Sequence, residues 1–218
     1  MRGIASMIAV FALTSALCAS LTYGQEPTPA QIHIGHVMDR FAGTPNSQGL
    51  LATALAEARI AVQHATLAAQ DPNNLEAMKR HAGHVVHVID PKAVESGPGL
   101  GFGLKRAADG VATHAGLAGK SQGATQNMKT HGPHASTSAA NTARRADRML
   151  ALAKTIQEYA ESPAEGAALV AELKALADQL VAGFDANGDG RIGWQEGEGG
   201  LQVAEQHIGF MRQAAGSP

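Results

Sequence analysis

From residue 29 onward the apolar positions recur every three or four residues, the spacing of one helix side, and no run alternates as a strand would. Ile34, Val37, Met38 and Phe41 predict a first helix over about 29–41, with Thr28 as its cap and Pro29 in its first position. Leu51, Leu55, Ala58 and Val62 mark a second, over about 48–70, after a loop at 43–47. Asp71-Pro72-Asn73 breaks it, and Asn73 is the expected cap of a third helix ending at Ile89, before Asp90-Pro91. A fourth helix is expected over 104–119 and a fifth over 124–160, the latter kinked or split at Pro133. Ser162-Pro163 starts a sixth, in which Leu173, Leu176, Leu180 and Phe184 keep helical spacing. Leu201, Ala204, Ile208 and Met211 do the same in a seventh. The fold class is therefore all-α: an up-down, histidine-rich helical bundle over 25–160, followed by a helix-loop-helix unit over 161–218.

The segment between the last two stripes reads Asp185-Ala-Asn187-Gly-Asp189-Gly190-Arg191-Ile192-Gly193-Trp-Gln-Glu196. Hard cations such as calcium take six to eight oxygens. Asp185, Asn187 and Asp189 can turn side-chain oxygens inward, and Gly190 allows the sharp turn. Arg191 offers its backbone carbonyl, and Glu196 offers two oxygens from the start of the exit helix. Gly193 brings no side chain, which leaves that place to water. On these residues the stretch from about 170 to 213 resembles the EF-hand family. The resemblance implies a bound calcium ion held by Asp185, Asn187, Asp189, Arg191 and Glu196. Gly197, Gly199 and Gly200 weaken the start of the exit helix, at roughly 1 kcal/mol each relative to alanine. Ile192, at the eighth loop position, has no second loop to pair with, so either two chains pair or the loop packs on the bundle.

The first 24 residues differ from the rest. Arg2 precedes an apolar run from Ile4 to Leu21, and Thr22 and Gly24 suit cleavage before Gln25. This reads as a signal peptide over 1–24 and an exported protein, periplasmic or secreted; an uncleaved anchor helix is the alternative. Lipidation at Cys18 is disfavoured by Leu17. Cleavage removes Cys18, the single cysteine of the chain, and with it any disulfide or thiolate metal site. The formal net charge of −2 and the lack of a basic run argue against a nucleic-acid partner. No second long apolar segment suggests a membrane partner after cleavage.

Ten histidines remain to be explained, nine of them between His33 and His134. His114 falls in the stripe Leu104, Ala107, Val111, Ala118, and His131 in the stripe Met128, Ala135, Ser138. His134 lies one turn on, His81 and His84 flank the apolar face of the third helix, and His36 lies on the first. His36, His81, His84, His114, His131 and His134 are thus candidates for a second metal site inside the bundle. Imidazoles suit zinc, copper, iron or nickel, with Asp39, Asp109, Met38, Met78 or Met128 as further donors; a bis-histidine haem is a further reading. Covalent haem is excluded, because C-x-x-C-H is absent. His33, His64 and His87 read as hydrogen-bonded packing residues, His207 as a surface or packing residue. Arg144, Arg145 and Arg148 read as a solvated face, and Gly97 to Gly103 as a turn rather than a phosphate loop.

Two functions compete. One is an exported calcium-binding protein whose ion orders the C-terminal helix pair, with a homodimer through the unpaired loop as a possible assembly. The other is a transition-metal or haem-binding bundle for storage, sensing or electron transfer. No H-E-x-x-H, nucleophile elbow or carboxylate pair occurs. The sequence therefore points away from an enzyme, unless a histidine-built metal centre with an open position is catalytic.

Overall fold

The computed structural model describes residues 26–213, so the leader read over 1–24, with Cys18, lies outside the described residues. Among the described residues there are seven α-helices: α1 (Pro29–Met38), α2 (Leu50–Ala68), α3 (Leu75–Ile89), α4 (Leu104–Lys120), α5 (Gln126–Tyr159), α6 (Pro163–Asp178) and α7 (Leu201–Gln213). Among the described residues there is no strand, only an isolated antiparallel bridge between Gly183 and Gly199. No described helix is long and apolar enough to cross a membrane.

Local chemistry explains where the helices begin. Thr28 accepts from the Gln31 amide while the Gln31 side chain accepts from the Thr28 amide, and Pro29 follows. The Thr125 and Ser162 side chains cap α5 and α6 by accepting from the Met128 and Glu165 amides, Ser162 again with proline behind it. For α3 the cap is Asn74, one residue beyond the expected Asn73. The Asn74 side chain accepts from the Ala77 amide, while the Asn73 amide donates to Asp71 in the preceding turn.

The long α5 is the axis of the bundle: α3, α4, α6 and α7 all pack on it, α1 lies on α4, and α2 lies against α3, α4 and α6. Pro133 does not split α5. Its ring is on the exposed side, while Met128, Gly132, Ala135 and Ala139 on the inner side are buried, so packing holds the helix through the missing hydrogen bond. The α4–α5 contact is close because of two glycines. A Cβ on Gly119 would lie 2.7 Å from the Met128 carbonyl oxygen, and one on Gly132 would lie 2.8 Å from that of Ala115. Leucine, isoleucine and methionine fill the remaining core, with Met78, Leu104, Met128, Met149, Ile156, Leu173 and Ile208 fully buried. The Glu57 carboxylate, also buried, accepts from the Leu100 and Gly103 amides and ties down the turn before α4.

The C-terminal part differs from expectation at both ends of its loop. The entering helix stops at Asp178 instead of running to Phe184, and the exit helix starts only at Leu201. α6 lies on α2, α3 and α5, whereas α7 lies chiefly on α5, so the two flanking helices pack on the bundle. Leu180 keeps the expected buried position although it stands outside the helix, and Phe184 is exposed.

The irregular segment between α6 and α7 is fastened to α5 by Arg145, read from sequence as part of a solvated face, and by Asn141 and Thr142 beside it. Arg145 is buried, and its guanidinium donates to the carbonyls of Gly197, Glu198 and Gly199. Asn141 donates to the Gln195 carbonyl and accepts from the Gly197 amide, and the Thr142 hydroxyl donates to the Leu180 carbonyl. Glycine-rich backbone that cannot hold a helix alone thus finds its hydrogen bonds on α5. Burial, then the neighbouring Arg144, pulls the Arg145 guanidinium down to about 10, still protonated at neutral pH.

Candidate metal centres

Residues three apart on a helix stand roughly 4.5 Å apart along its axis and 60° apart around it, so both side chains can reach one point beside the helix. Three pairs at that spacing meet a further histidine: His33-Ile-Gly-His36 on α1, His81-Ala-Gly-His84 on α3, and His131-Gly-Pro-His134 on α5; a fourth, His84-Val-Val-His87, overlaps the second, and its His87 turns instead to the Pro98 carbonyl. The further histidine comes in each case from a neighbouring helix: His114 from α4, His64 from α2 and His207 from α7. In each of the resulting groups, called A, B and C in chain order of their pairs, three imidazoles present ligand atoms within 4.8 Å of one another.

At site A, Nδ1 of His114 is 2.9 Å from Nδ1 of His33 and 3.4 Å from that of His36. Phe41 closes one side, edge-on to His36 and His114 at 5.5 Å. At site B, Nδ1 of His64 is 3.1 Å from that of His81 and 3.2 Å from that of His84. At site C, the Nδ1 atoms of His131 and His207 are 2.9 Å apart. His134 lies beside them, its ring centre 4.8 Å from that of His207 and 5.8 Å from that of His131. Its Nδ1 is buried and has no hydrogen-bond partner. Phe210 packs against His131, and Trp194 stacks flat on His134 with ring centres 4.0 Å apart and planes 15° apart.

The donor sets suit a metal. Ligands bound at 2.0–2.1 Å on a tetrahedral zinc stand about 3.3–3.4 Å apart, close to the 2.9–3.4 Å between neighbouring Nδ1 atoms at sites A and B. A neutral imidazole carries one proton, so one N–H···N hydrogen bond can join two nitrogens, but the third lone pair in such a group has no proton to meet. A single cation meets all three.

Electrostatics keep those lone pairs available. Burial, helped by His84 and His81, pulls His64 down to about 4. Burial, helped by His134 and His131, does the same to His207. His33 and His114 at site A, His81 and His84 at site B, and His134 at site C are also lowered, in each case first by burial and then by neighbouring positive charge. At site B that charge includes Arg80. Three nitrogens leave a fourth tetrahedral place for water or an anion.

All six histidines proposed from sequence sit in these groups, but they are divided among three sites rather than gathered at one. His33, His64 and His207, read from sequence as packing residues, are the missing third ligands. One signal was available in the recurrence of H-x-x-H, which marks His33 directly; it marks His87 as well, and it singles out neither His64 nor His207. His87 stays a hydrogen-bonded residue, its Nδ1 2.7 Å from the Pro98 carbonyl oxygen. The further donors considered do not join: Met78 and Met128 are in the core, Asp39 pairs with Arg212 and Asp109 with Lys105, and Met38 Sδ lies 3.9 Å from Arg212 Nη1. Nor do the groups suit haem, since imidazoles 2.9–3.4 Å apart leave no space for a flat macrocycle between them.

The Asp185–Glu196 loop is ordered by its own backbone. Asp185 accepts from the amides of Gly188, Asp189 and Gly190, Asn187 from that of Asp189, and Asp189 from that of Arg191. Gly190 takes the left-handed conformation, φ 82°, that the sharp turn needs. Glu196 is placed differently from expectation. It lies in a turn five residues before α7, with its side chain 84% exposed and 3.4 Å from Arg144. The glycines after it account for this, because Arg145 and Asn141 hold their backbone in a non-helical path. The buried carboxylate of this segment is Glu198, 2% exposed, which accepts from the Gly193 amide.

Comparison with protein-family models, curated proteins and solved structures finds no match to the chain.

Proposed function

We propose that this protein holds transition-metal ions, one at each histidine site, as a storage or buffering bundle. The observation that carries the reading is the repetition. Three separate helix pairs each bring an H-x-x-H pair and one further histidine into the same all-imidazole group. Neutral nitrogen donors favour zinc, copper or nickel over calcium or magnesium, and among divalent ions copper binds such a set most tightly. Metal analysis of untagged protein after equilibration with zinc or copper tests it. Uptake of three ions per chain is the expected result, and less than one ion per several chains overturns the reading.

A second reading concerns the loop. The inward-turned oxygens of Asp185, Asn187 and Asp189 and the left-handed Gly190 support calcium binding, with the Arg191 carbonyl and Glu196 completing the set once Glu196 leaves Arg144. The leader over 1–24 supports export to the periplasm or beyond, where millimolar calcium is common. Isothermal titration with calcium near 1 mM tests this reading, and absence of heat there removes it.

A further inference from the structure

The three histidine sites are alike in their ligands and unlike in what surrounds them. Site B has Arg80 nearby, and its rings contact one another. Site A has one edge-on phenylalanine. Site C has an indole lying flat on one of its ligands, 4.0 Å away and 15° from parallel. That ligand, His134, is also the one whose Nδ1 is buried with no hydrogen-bond partner.

The indole is itself fixed. On one side of Trp194, the Gly193 amide donates to buried Glu198; on the other, the Gln195 carbonyl accepts from Asn141. Asn141 belongs to α5, seven residues and so about two turns beyond His134, on the same side of the helix. The backbone that carries Trp194 and the helix that carries His131 and His134 are therefore fastened together. A stacked ring restricts rotation of the imidazole about its side-chain torsions. A ligand held in its binding orientation before the ion arrives does not lose that freedom on binding.

We propose that Trp194 is a positioning residue for site C, and that it makes site C the tightest of the three, filled before A and B. The inference rests on the reading of the histidine groups as metal sites. No protein atom takes the Nδ1 of His134, and the stacked indole fixes where that nitrogen points; a metal ion is what such a nitrogen suits.

The chain's single tryptophan gives the test its readout. Copper(II) added to the purified chain should quench Trp194 emission within the first equivalent, although uptake continues to three. His134→Ala should remove that first-equivalent quench, while His36→Ala and His84→Ala leave it. In a chain carrying both His36→Ala and His84→Ala, Trp194→Ala should weaken zinc binding at the remaining site by roughly 10- to 100-fold, the usual effect of removing an outer-shell contact. Trp194→Phe, which keeps a flat ring, should restore most of it. In chains that retain only site A or only site B, Trp194→Ala should leave zinc affinity unchanged; loss there would mark a general structural role and overturn the proposal. Quenching that grows evenly across three equivalents overturns it too, while leaving the metal reading intact. Failure to take up any ion removes both.

Discussion

The histidine sites and the Asp185–Glu196 loop make opposite use of the backbone. At the histidine sites the ligands stand on helices whose positions are set by the alanine- and glycine-lined packing beneath them. The imidazoles meet whatever the metal does, and their backbone amides are already taken up within the helices. In the loop the oxygen donors instead hold their own backbone amides, and Glu196, the residue meant to close the set, is tied to Arg144. The first arrangement is prepared for a soft or borderline ion; the second must rearrange to take a hard one. Ligands on packed helices gain precision, and ligands on a turn gain the ability to exchange partners.

The strongest way to break this contrast is to remove the cross-helix histidines. Replacing His114, His64 and His207 together by alanine should abolish tight zinc uptake, and each single replacement should remove one ion, as read by atomic absorption. In the unaltered chain, zinc at 100 times its dissociation constant should stabilise the fold by about 2.7 kcal/mol per occupied site, seen as a higher melting temperature by circular dichroism. Next in size is Arg145→Ala. It leaves three carbonyls of the segment before α7 without their donor, and about 3 kcal/mol should be lost in urea unfolding.

Acid acts on the histidine half of the comparison. His64 and His207 are held near 4 in the fold against an ordinary value of 6.5, so the unfolded chain binds more protons than the folded one between those limits. Their neutral packing is therefore at full strength above pH 6.5 and is lost as the pH falls through 4. The melting temperature of the metal-free protein should drop across that window, and a flat profile would contradict the burial of these rings.

The smallest effect belongs to the loop. A site with a dissociation constant of about 10⁻⁴–10⁻³ M adds only about 0.4–1.4 kcal/mol at 1 mM calcium. Glu196→Ala should erase that small rise in melting temperature without touching zinc uptake.

The starts of α1 and α6 were legible because they are written locally: threonine or serine, then proline, with an amide to cap within three residues. His114 and His131 were legible because they share the helical spacing of the core. His64 and His207 were not, because what makes them ligands is distance in space, not in sequence. His207 meets His131 across 76 residues, and no property of α7 alone points there. The end of α6 was misjudged for a related reason. Leu180 keeps helical spacing and is buried as expected, but its carbonyl is taken by Thr142 of α5, a bond the local pattern does not show. At Pro133 the outcome runs the opposite way: of the expected kink or split, the split does not occur, since packing on α4 outweighs a local signal to break.

Each histidine group joins a different pair of helices, and two of those pairs include the first and last helices of the fold. An ion at site A therefore latches α1 onto α4, and an ion at site C latches α7 onto α5. If the groups hold metal as proposed, a chain starved of it would lose both latches together, and α1 and α7 would become the first places where a protease can take hold. On the proposed reading, the lifetime of the protein would be coupled to the supply of the ion.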